Sequence, residues 1–428
     1  MNYKKTSTFS YNLHTIKTDK FKTITVKINF KRKLIKEEIT ARNLLVNILC
    51  ESTNEFPTKR LMAIECENLY ELSCAGMNYS SGIYNIMSFE ATFLNEKYTE
   101  KGMLEKSIKF ISDLVFKPNI EKKGGIFSFN QESFTLAYNS LKDNIISQKE
   151  NPDIYSKMRM LEELEPNSCI SYRKCGYLED LEKMDPKKLY EYYEAILNSD
   201  IIDIFVIGNI EDYYVKKIIG ENFKNIKTLK KPTESHFYTP KPHKFFPKKI
   251  YESQKINQSK LVLGFKISKM TDFELRYVLN VYSYILGGSA DSKLFKTLRE
   301  ENSLCYYINS IAQPLNSIII VNAGINKENY KQAVELIKKE VNNIKKGKFS
   351  NEDIIKAKVT YVNSLKELED SPDSILGLYS GIEYLKSDDI ASRLSKMNRV
   401  TASDVVKLAS KVHLDTIYML EGESSEEE

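Results

Sequence analysis

The sequence has no long apolar run and contains only four histidines. None of its apolar stretches reaches the roughly 20 residues that a transmembrane helix needs, and no apolar core follows the N-terminal lysines as it would in a secretory signal. We therefore expect a cytoplasmic protein without membrane insertion. The histidines are His14, His236, His243 and His413. None of them has a second histidine at the spacing that a metal site requires.

Nucleotide, nucleic-acid and disulfide chemistry are also poorly supported. No G-x-x-x-x-G-K-[ST] sequence occurs, so a P-loop is excluded. The net charge of +5 over 428 residues is too small to indicate a nucleic-acid-binding protein. The six cysteines include no C-x-x-C pair, which favours small core residues over disulfides or a zinc knuckle.

The sequence does contain enough apolar residues for two hydrophobic cores. Its 42% hydrophobic content is globular, and its 428 residues are too many for one ordinary core. Alternating apolar residues predict strands, and apolar residues three or four apart predict helices. The elements predicted in the first half are strands at 22–31, 87–93 and 201–207 and helices at 38–50, 58–72, 103–116, 131–147, 153–164 and from Asp185.

The pattern fails between Asn225 and Ser259, where four of the eleven prolines fall among lysines. This composition fits an ordered but irregular connector between domains. Beyond it a similar order of elements returns, offset by a little over two hundred residues. These elements are strands at 261–267, 318–325 and 416–420 and helices at 272–286, 328–346, from Ser350 and from Thr401.

The chain is therefore predicted to be a tandem duplication of an α+β unit, each unit a mainly antiparallel sheet with helices packed on one face. We predict an N-terminal domain at 1–225, a linker at 226–258, a C-terminal domain at 259–420 and an acidic tail at 421–428. The tail has no apolar residue to bury, so we expect it to be disordered and solvated. Binding of the tail to a basic partner surface is the weaker alternative.

One stretch of the second half, Leu286 to Tyr307, is unusually specific. A helix ends at Gly287-Gly288, a pair that can take positive φ, and a second helix begins behind Ser289 as its N-cap. This second helix carries Arg299 near its end, and the run after it reads as a strand that contains Tyr306. One cation and one phenol are thus predicted to face the same space.

The order Gly-Gly, Ser-x-Leu-Phe-x-x-Leu-Arg-Glu and Leu-x-Tyr resembles the second-domain signature of the insulinase and mitochondrial processing peptidase family, the inverted-zincin metallopeptidases. The resemblance implies that Arg299 and Tyr306 reach a zinc site in another domain and hold the peptide and its tetrahedral intermediate. It also places Gly287 and Gly288 at the substrate and makes the two domains one half of a clamshell. In the alternative, Arg299 pairs with a surface carboxylate and Tyr306 packs in a sheet.

The zinc motif His-x-x-Glu-His, which the resemblance implies on the first helix, is absent. Matching the family's motif to the helix at 38–50 puts Asn43 and Asn47 at the histidine positions and Val46 at the glutamate. An asparagine amide is a poor zinc ligand, and valine cannot act as a base. We expect no cofactor in this chain.

The resemblance thus implies a non-catalytic subunit that is inactive alone. A zinc-bearing, paralogous partner subunit would supply the metal, and this chain would supply Arg299 and Tyr306 and bind the peptide substrate. One alternative is a structural or peptide-binding scaffold that contributes no chemistry. Another, a zinc enzyme with unusual ligands, has little support from the histidine placement.

Overall fold

The fold comes from a computed structural model that describes residues 1–223 and 234–422. These residues form two compact units, the first made of 1–147, 173–223, 234–235 and 370–379, and the second of 148–172, 236–369 and 380–422. Residues 226–233 of the predicted linker and 423–428 of the predicted tail lie outside the described residues. The domain boundaries at 225, 258 and 420 stay a prediction.

The strands of the described residues form two large sheets and one hairpin. In chain order they are β1 (Asn2–Ser7), β2 (Asn12–Lys17), β3 (Thr23–Lys33), β4 (Ser73–Ser81), β5 (Tyr84–Leu94), β6 (Ile120–Lys123), β7 (Ile126–Phe129), β8 (Ile201–Gly208), β9 (Lys248–Gln254), β10 (Ser259–Ile267), β11 (Cys305–Gln313), β12 (Ile318–Ile325) and β13 (Val412–Gly422). The first unit contains the sheet β1-β2-β8-β3-β5-β4, and the second contains β11-β12-β10-β13-β9. Most neighbours are antiparallel; β2 with β8 and β9 with β13 are parallel.

The helices lie between these strands. In chain order they are α1 (Ile39–Glu51), α2 (Lys59–Asn68), α3 (Met103–Phe116), α4 (Gln131–Glu150), α5 (Pro152–Leu164), α6 (Leu178–Leu181), α7 (Pro186–Leu197), α8 (Asp212–Asn222), α9 (Leu279–Gly287), α10 (Tyr330–Lys345), α11 (Asn351–Glu367), α12 (Pro372–Leu385), α13 (Ile390–Asn398) and α14 (Ala402–Ser410). Glu274–Val278, immediately before α9, is π-helical. In the described residues no helix is both long enough and apolar enough to cross a membrane.

The first unit buries both faces of its central strand, β3. The predicted apolar set Ile24, Val26, Ile28 and Phe30 is in the core. The opposite, polar face of β3, which a half-buried strand would expose, is also largely buried. Its side chains are paired with polar groups of adjacent strands, as in the contact of Lys27 Nζ with Glu90 Oε2 at 2.8 Å, because buried polar groups need partners.

The second unit is also covered on both faces of its central strand, β10. Alternate residues of β10 pack with α9, α10 and α14 in one apolar cluster. The other face meets α5, where a Cβ added to Gly264 would lie 2.5 Å from Met160 Sδ. Glycine at this position therefore lets α5 approach the sheet. In sequence, the chain segment that forms α5 lies between two parts of the first unit, 1–147 and 173–223, yet it belongs to the second unit.

Candidate functional site

Arg299 lies on a π-helical segment, Phe295–Glu301, that follows α9. Buried Leu298 anchors this segment in the core, and Arg299 itself is exposed. Its guanidinium carbon is 4.8 Å from the ring centroid of Phe295 and 5.8 Å from that of Tyr306. Cation–π contacts at these distances are attractive and help to orient the guanidinium group. Arg299 makes no ion pair with any part of the chain that the structure describes, so its N–H groups remain available.

Tyr306 is placed by an irregularity in β11. Cys305 is opposite Ile325 of β12, but the next aligned residue, opposite Gly324, is Tyr307, so Tyr306 is the extra residue of a bulge. Bulges re-aim side chains and are frequent beside functional sites. The Tyr306 side chain is 75% exposed. The predicted juxtaposition of Arg299 and Tyr306 is therefore present, with the phenol facing solvent.

The residue after Tyr306 anchors the start of β11. The Tyr307 hydroxyl donates to the carboxylate of Asp153, at the start of α5. Lys260 Nζ lies 3.1 Å from Asp153 Oδ2 and 5.1 Å from the Tyr307 ring centroid. Burial, followed by this hydrogen bond, raises the pKa of Tyr307. The sequence does not identify the contact between Tyr307 and Asp153. Its only indication of this contact is that a second tyrosine directly follows Tyr306.

Gly287 and Gly288 differ from the expectation about their backbone. Neither has a positive φ. A Cβ on Gly287 would lie 2.8 Å from the Ser310 backbone nitrogen, so glycine is needed because α9 packs closely against β11. The expected side-chain cap at Ser289 is also absent, since its hydroxyl has no hydrogen-bond partner in the described chain. Gly287 thus sets the distance between α9 and β11, the strand that carries Tyr306.

The turn before β11 contains a strained residue. Ser303 has φ of +51°, in the left-handed region, where an L-residue costs roughly 1–2 kcal/mol. Glycine avoids this cost but loses about 0.5–1 kcal/mol through its larger unfolded-state entropy. We expect Ser303→Gly to raise the free energy of unfolding by about 0.5–1 kcal/mol, measured by urea titration.

Ser147→Gly is the matched control for this prediction. Ser147 is exposed on the helix α4, where glycine is expected to be destabilising by about 0.5 kcal/mol because it lowers helix propensity. A loss of stability for Ser303→Gly comparable to that of Ser147→Gly would contradict the assignment of strain at position 303.

The positions that correspond to the zinc motif are on α1. The amide nitrogen of Asn43 donates to Ile39 O at 2.8 Å and to Lys174 O at 2.9 Å, so the side chain is tied to the backbone. Val46 is buried against Gly76, where a Cβ would be 2.8 Å from Val46 Cγ1. Asn47 is half-buried on the same helix. This donor set does not fit zinc, since it offers two weak amide ligands and no base.

Other metal ligands do not compensate. Among residues 1–223 and 234–422, no group of three or more His, Cys, Asp and Glu side chains is arranged to hold a metal ion. The structure does bring together His243 and His413, which are far apart in sequence, with ring centroids 3.9 Å apart and an interplanar angle of 1°. The nitrogen lone pairs of parallel stacked rings do not converge on one ion. Burial lowers the pKa of His413, and the charges of the nearby His243 and Lys345 lower it further.

Comparison with known proteins shows which family these features resemble. Residues 183–361, which include both glycines, Arg299 and Tyr306, match the family described as Peptidase M16 inactive domain. The protein described as "Probable inactive metalloprotease YmfF" from Bacillus subtilis (strain 168) is 28% identical over 413 residues, or 96% of this chain and 95% of that protein. The chain is similar to proteins of the peptidase M16 family. Its similarity is to M16 proteins that are described as inactive or metalloprotease-like.

Two further similarities concern a second relative and the fold. The "Uncharacterized zinc protease YmxG" of Bacillus subtilis (strain 168) is 24% identical over 294 residues, or 65% of this chain and 70% of that protein. The crystal structure of a conserved protein from Enterococcus faecalis V583 superposes with a TM-score of 0.92 at 24% identity and covers all of both chains. The predicted family resemblance and the α+β fold with mainly antiparallel sheets are thus confirmed. The roles of Arg299, Tyr306, Gly287 and Gly288 stay predictions.

Proposed function

We propose that this chain is the non-catalytic subunit of a two-subunit zinc peptidase, in which Arg299 and Tyr306 contact the substrate at the zinc site of the partner. The observation that carries the proposal is the state of these two side chains. Arg299 is exposed, oriented by two aromatic rings and without an ion pair in the described part of the chain. Tyr306 projects from a bulge with 75% of its surface exposed. A purely structural pair would be expected to use its polar groups within the fold.

The proposed chemistry is transition-state hydrogen bonding. The Arg299 guanidinium has several N–H donors, and the Tyr306 hydroxyl has one O–H donor. Both are suited to donate to the oxyanion that develops when water attacks a peptide carbonyl, and to carbonyl oxygens of the bound peptide. A zinc ion in the partner would polarise the same carbonyl as a Lewis acid.

The substrate in this proposal is an extended peptide. β11, which carries Tyr306, is an edge strand of its sheet. The outer backbone groups of an edge strand are suited to pair with a peptide that adds as a further strand. Gly287, at the end of α9, lets this helix pack closely against β11.

The proposed partner is a paralogous subunit that carries the zinc motif. The two Bacillus subtilis relatives support a pair of this kind, because one is described as a probable inactive metalloprotease and the other as a zinc protease. We place the pair in the cytoplasm. The free thiols of all six cysteines are consistent with a reducing compartment.

The test is peptide hydrolysis by purified proteins. This chain alone, a zinc-motif M16 protein from the same genome alone, and the two in equimolar mixture are assayed against a library of fluorogenic peptides. We expect activity in the mixture well above the sum of the separate activities, and loss of that activity with a zinc chelator.

Either of two results would contradict the proposal. Activity of this chain alone would mean that the interpretation of Asn43, Val46 and Asn47 is wrong. A stable complex whose activity equals that of the zinc subunit alone would make this chain a scaffold without chemistry, which is the alternative function.

A further inference from the structure

A cavity of about 390 Å³ lies in the first unit, away from Arg299 and Tyr306 in sequence and in a different unit. The cavity is lined by the C-terminal ends of two helices. α3 contributes its last residue, Phe116, and its C-cap, Lys117; α7 contributes its last residue, Leu197, and its C-cap, Asn198. Its volume is within the range of roughly 300–1,000 Å³ found for ligand sites. We refer to it as the α3/α7 cavity.

The charge around the α3/α7 cavity is negative. The carboxyl ends of two helices meet there, and each carries a partial negative charge from its terminal carbonyl groups. The Glu194 carboxylate adds a full negative charge. It accepts a hydrogen bond from the Tyr190 hydroxyl at 3.1 Å, and Glu194 forms no ion pair within residues 1–223 and 234–422. The one cation in the lining, Lys117, is already paired with Asp113 at 2.8 Å. An added positive charge would therefore be stabilised.

The walls of the α3/α7 cavity are aromatic and apolar. Phe116, Tyr190 and Tyr193 contribute rings, and Pro118 adds an aliphatic surface. Tyr193 is buried, and its hydroxyl donates to Val115 O at 2.9 Å, which fixes the ring. Aromatic rings attract cations and also pack against methylene chains. The cavity thus combines a surface for an alkyl chain with negative charge at Glu194.

We propose that the α3/α7 cavity binds an alkylammonium group, an ammonium at the end of an aliphatic chain, through Glu194 and the rings of Tyr190 and Tyr193. An anion is disfavoured by Glu194 and by the two helix ends. A neutral aliphatic group would leave this carboxylate without a counter-charge. Two sources share the required chemistry, namely the lysine side chain of a peptide and a free diamine.

The test is a titration of the full-length chain with three small probes, in which binding is monitored by NMR or calorimetry. Nα-acetyl-lysine methylamide represents a peptide side chain, 1,5-diaminopentane a free amine, and Nα-acetyl-norleucine methylamide a neutral chain of similar shape. We expect one or both amines to bind and norleucine to bind about two- to fivefold more weakly, as expected for one exposed charge pair. The tighter of the two amines identifies the source.

Two variants on α7 separate the cavity from general surface charge. Glu194→Gln removes the carboxylate charge and is expected to weaken amine binding about two- to fivefold. Glu191→Gln is the matched control, because Glu191 is on the same helix, 61% exposed and outside the cavity lining. It is expected to leave amine binding unchanged.

Three results would overturn the proposal. These are no binding of either amine, equal binding of the lysine and norleucine probes, and equal weakening by the two glutamate variants. Because the probes and the readout do not involve peptide hydrolysis or a zinc partner, failure here is distinct from failure of the proposed subunit function.

Discussion

In the mixture of this chain with its zinc-bearing partner, Arg299→Ala is expected to lower kcat for peptide hydrolysis about 100- to 1,000-fold, since loss of one transition-state donor costs roughly 2.7–4 kcal/mol. Tyr306→Phe removes a single hydroxyl and is expected to have an effect of the same order. Both side chains are exposed, so neither substitution opens a cavity in the core. The measurement is steady-state kinetics of the reconstituted pair.

The control for this prediction is Lys296→Ala. Lys296 lies on the same π-helical segment and is also a partly exposed cation, but its ammonium group is 3.7 Å from Asp291 Oδ1. Its substitution is expected to leave kcat within about twofold of the wild type, as is usual for exposed ion pairs. The affinity of the two subunits, measured separately by sedimentation, distinguishes loss of chemistry from loss of assembly. Unchanged kinetics in both Arg299→Ala and Tyr306→Phe would reduce this chain to a scaffold.

Those parts of the fold that depend on local chemistry follow from the sequence. A helix begins after Ser350, as predicted, and Ser350 and Asp353 cap it, with Asp353 N donating to Ser350 Oγ at 3.1 Å and Ser350 N donating to the Asp353 carboxylate at 2.8 Å. α3 has the predicted bounds because its apolar residues recur at helical spacing and Pro118 follows it closely. In both cases the decisive interactions lie within four residues.

Features that depend on distant residues do not follow from the sequence. β4 is polar and has no apolar run, and it is a strand because it pairs with β5 along its whole length. The polar face of β3 is buried because neighbouring strands offer partners such as Glu90 for Lys27. Strand pairing and the covering of a sheet are tertiary properties, and local propensity gives only a weak prior for them.

The candidate site divides in the same way. The closeness of Arg299 and Tyr306 is predictable, because a short turn joins the helix of one to the strand of the other. The bulge at Tyr306 is not predictable, because it is defined by the register with β12. The contact of Arg299 with Phe295 has a local signal, the spacing of four residues that places two side chains on one helical face.

The largest expected effect on stability is at Arg42, the residue before Asn43 on α1. Its Nη1 is 2.8 Å from Asp200 Oδ2, its Nη2 donates to Phe30 O at 2.9 Å, and both charged side chains are almost fully buried. We expect Arg42→Met to lower the free energy of unfolding by about 3–5 kcal/mol, because it leaves a buried carboxylate without its main partner. Urea unfolding followed by circular dichroism and tyrosine fluorescence measures this change.

A double-mutant cycle shows whether the charge pair itself stabilises the fold. Asp200→Leu is expected to cost more than Arg42→Met, because Asp200 retains Arg32 at 3.7 Å, whereas Arg42 retains no carboxylate within ion-pair distance in the described chain. The double variant is expected to be more stable than Asp200→Leu, since two apolar side chains leave no unpaired charge.

Lys59→Met provides the control for the cycle. It breaks a contact of 3.5 Å between a 79% exposed lysine and Glu51 at the end of α1, and is expected to cost less than about 1 kcal/mol because the lysine is solvated. A similar small cost for Arg42→Met would mean that water reaches Asp200. In that case the Arg42–Asp200 contact would be a solvated ion pair, and α1 would be held to the sheet chiefly by its apolar residues.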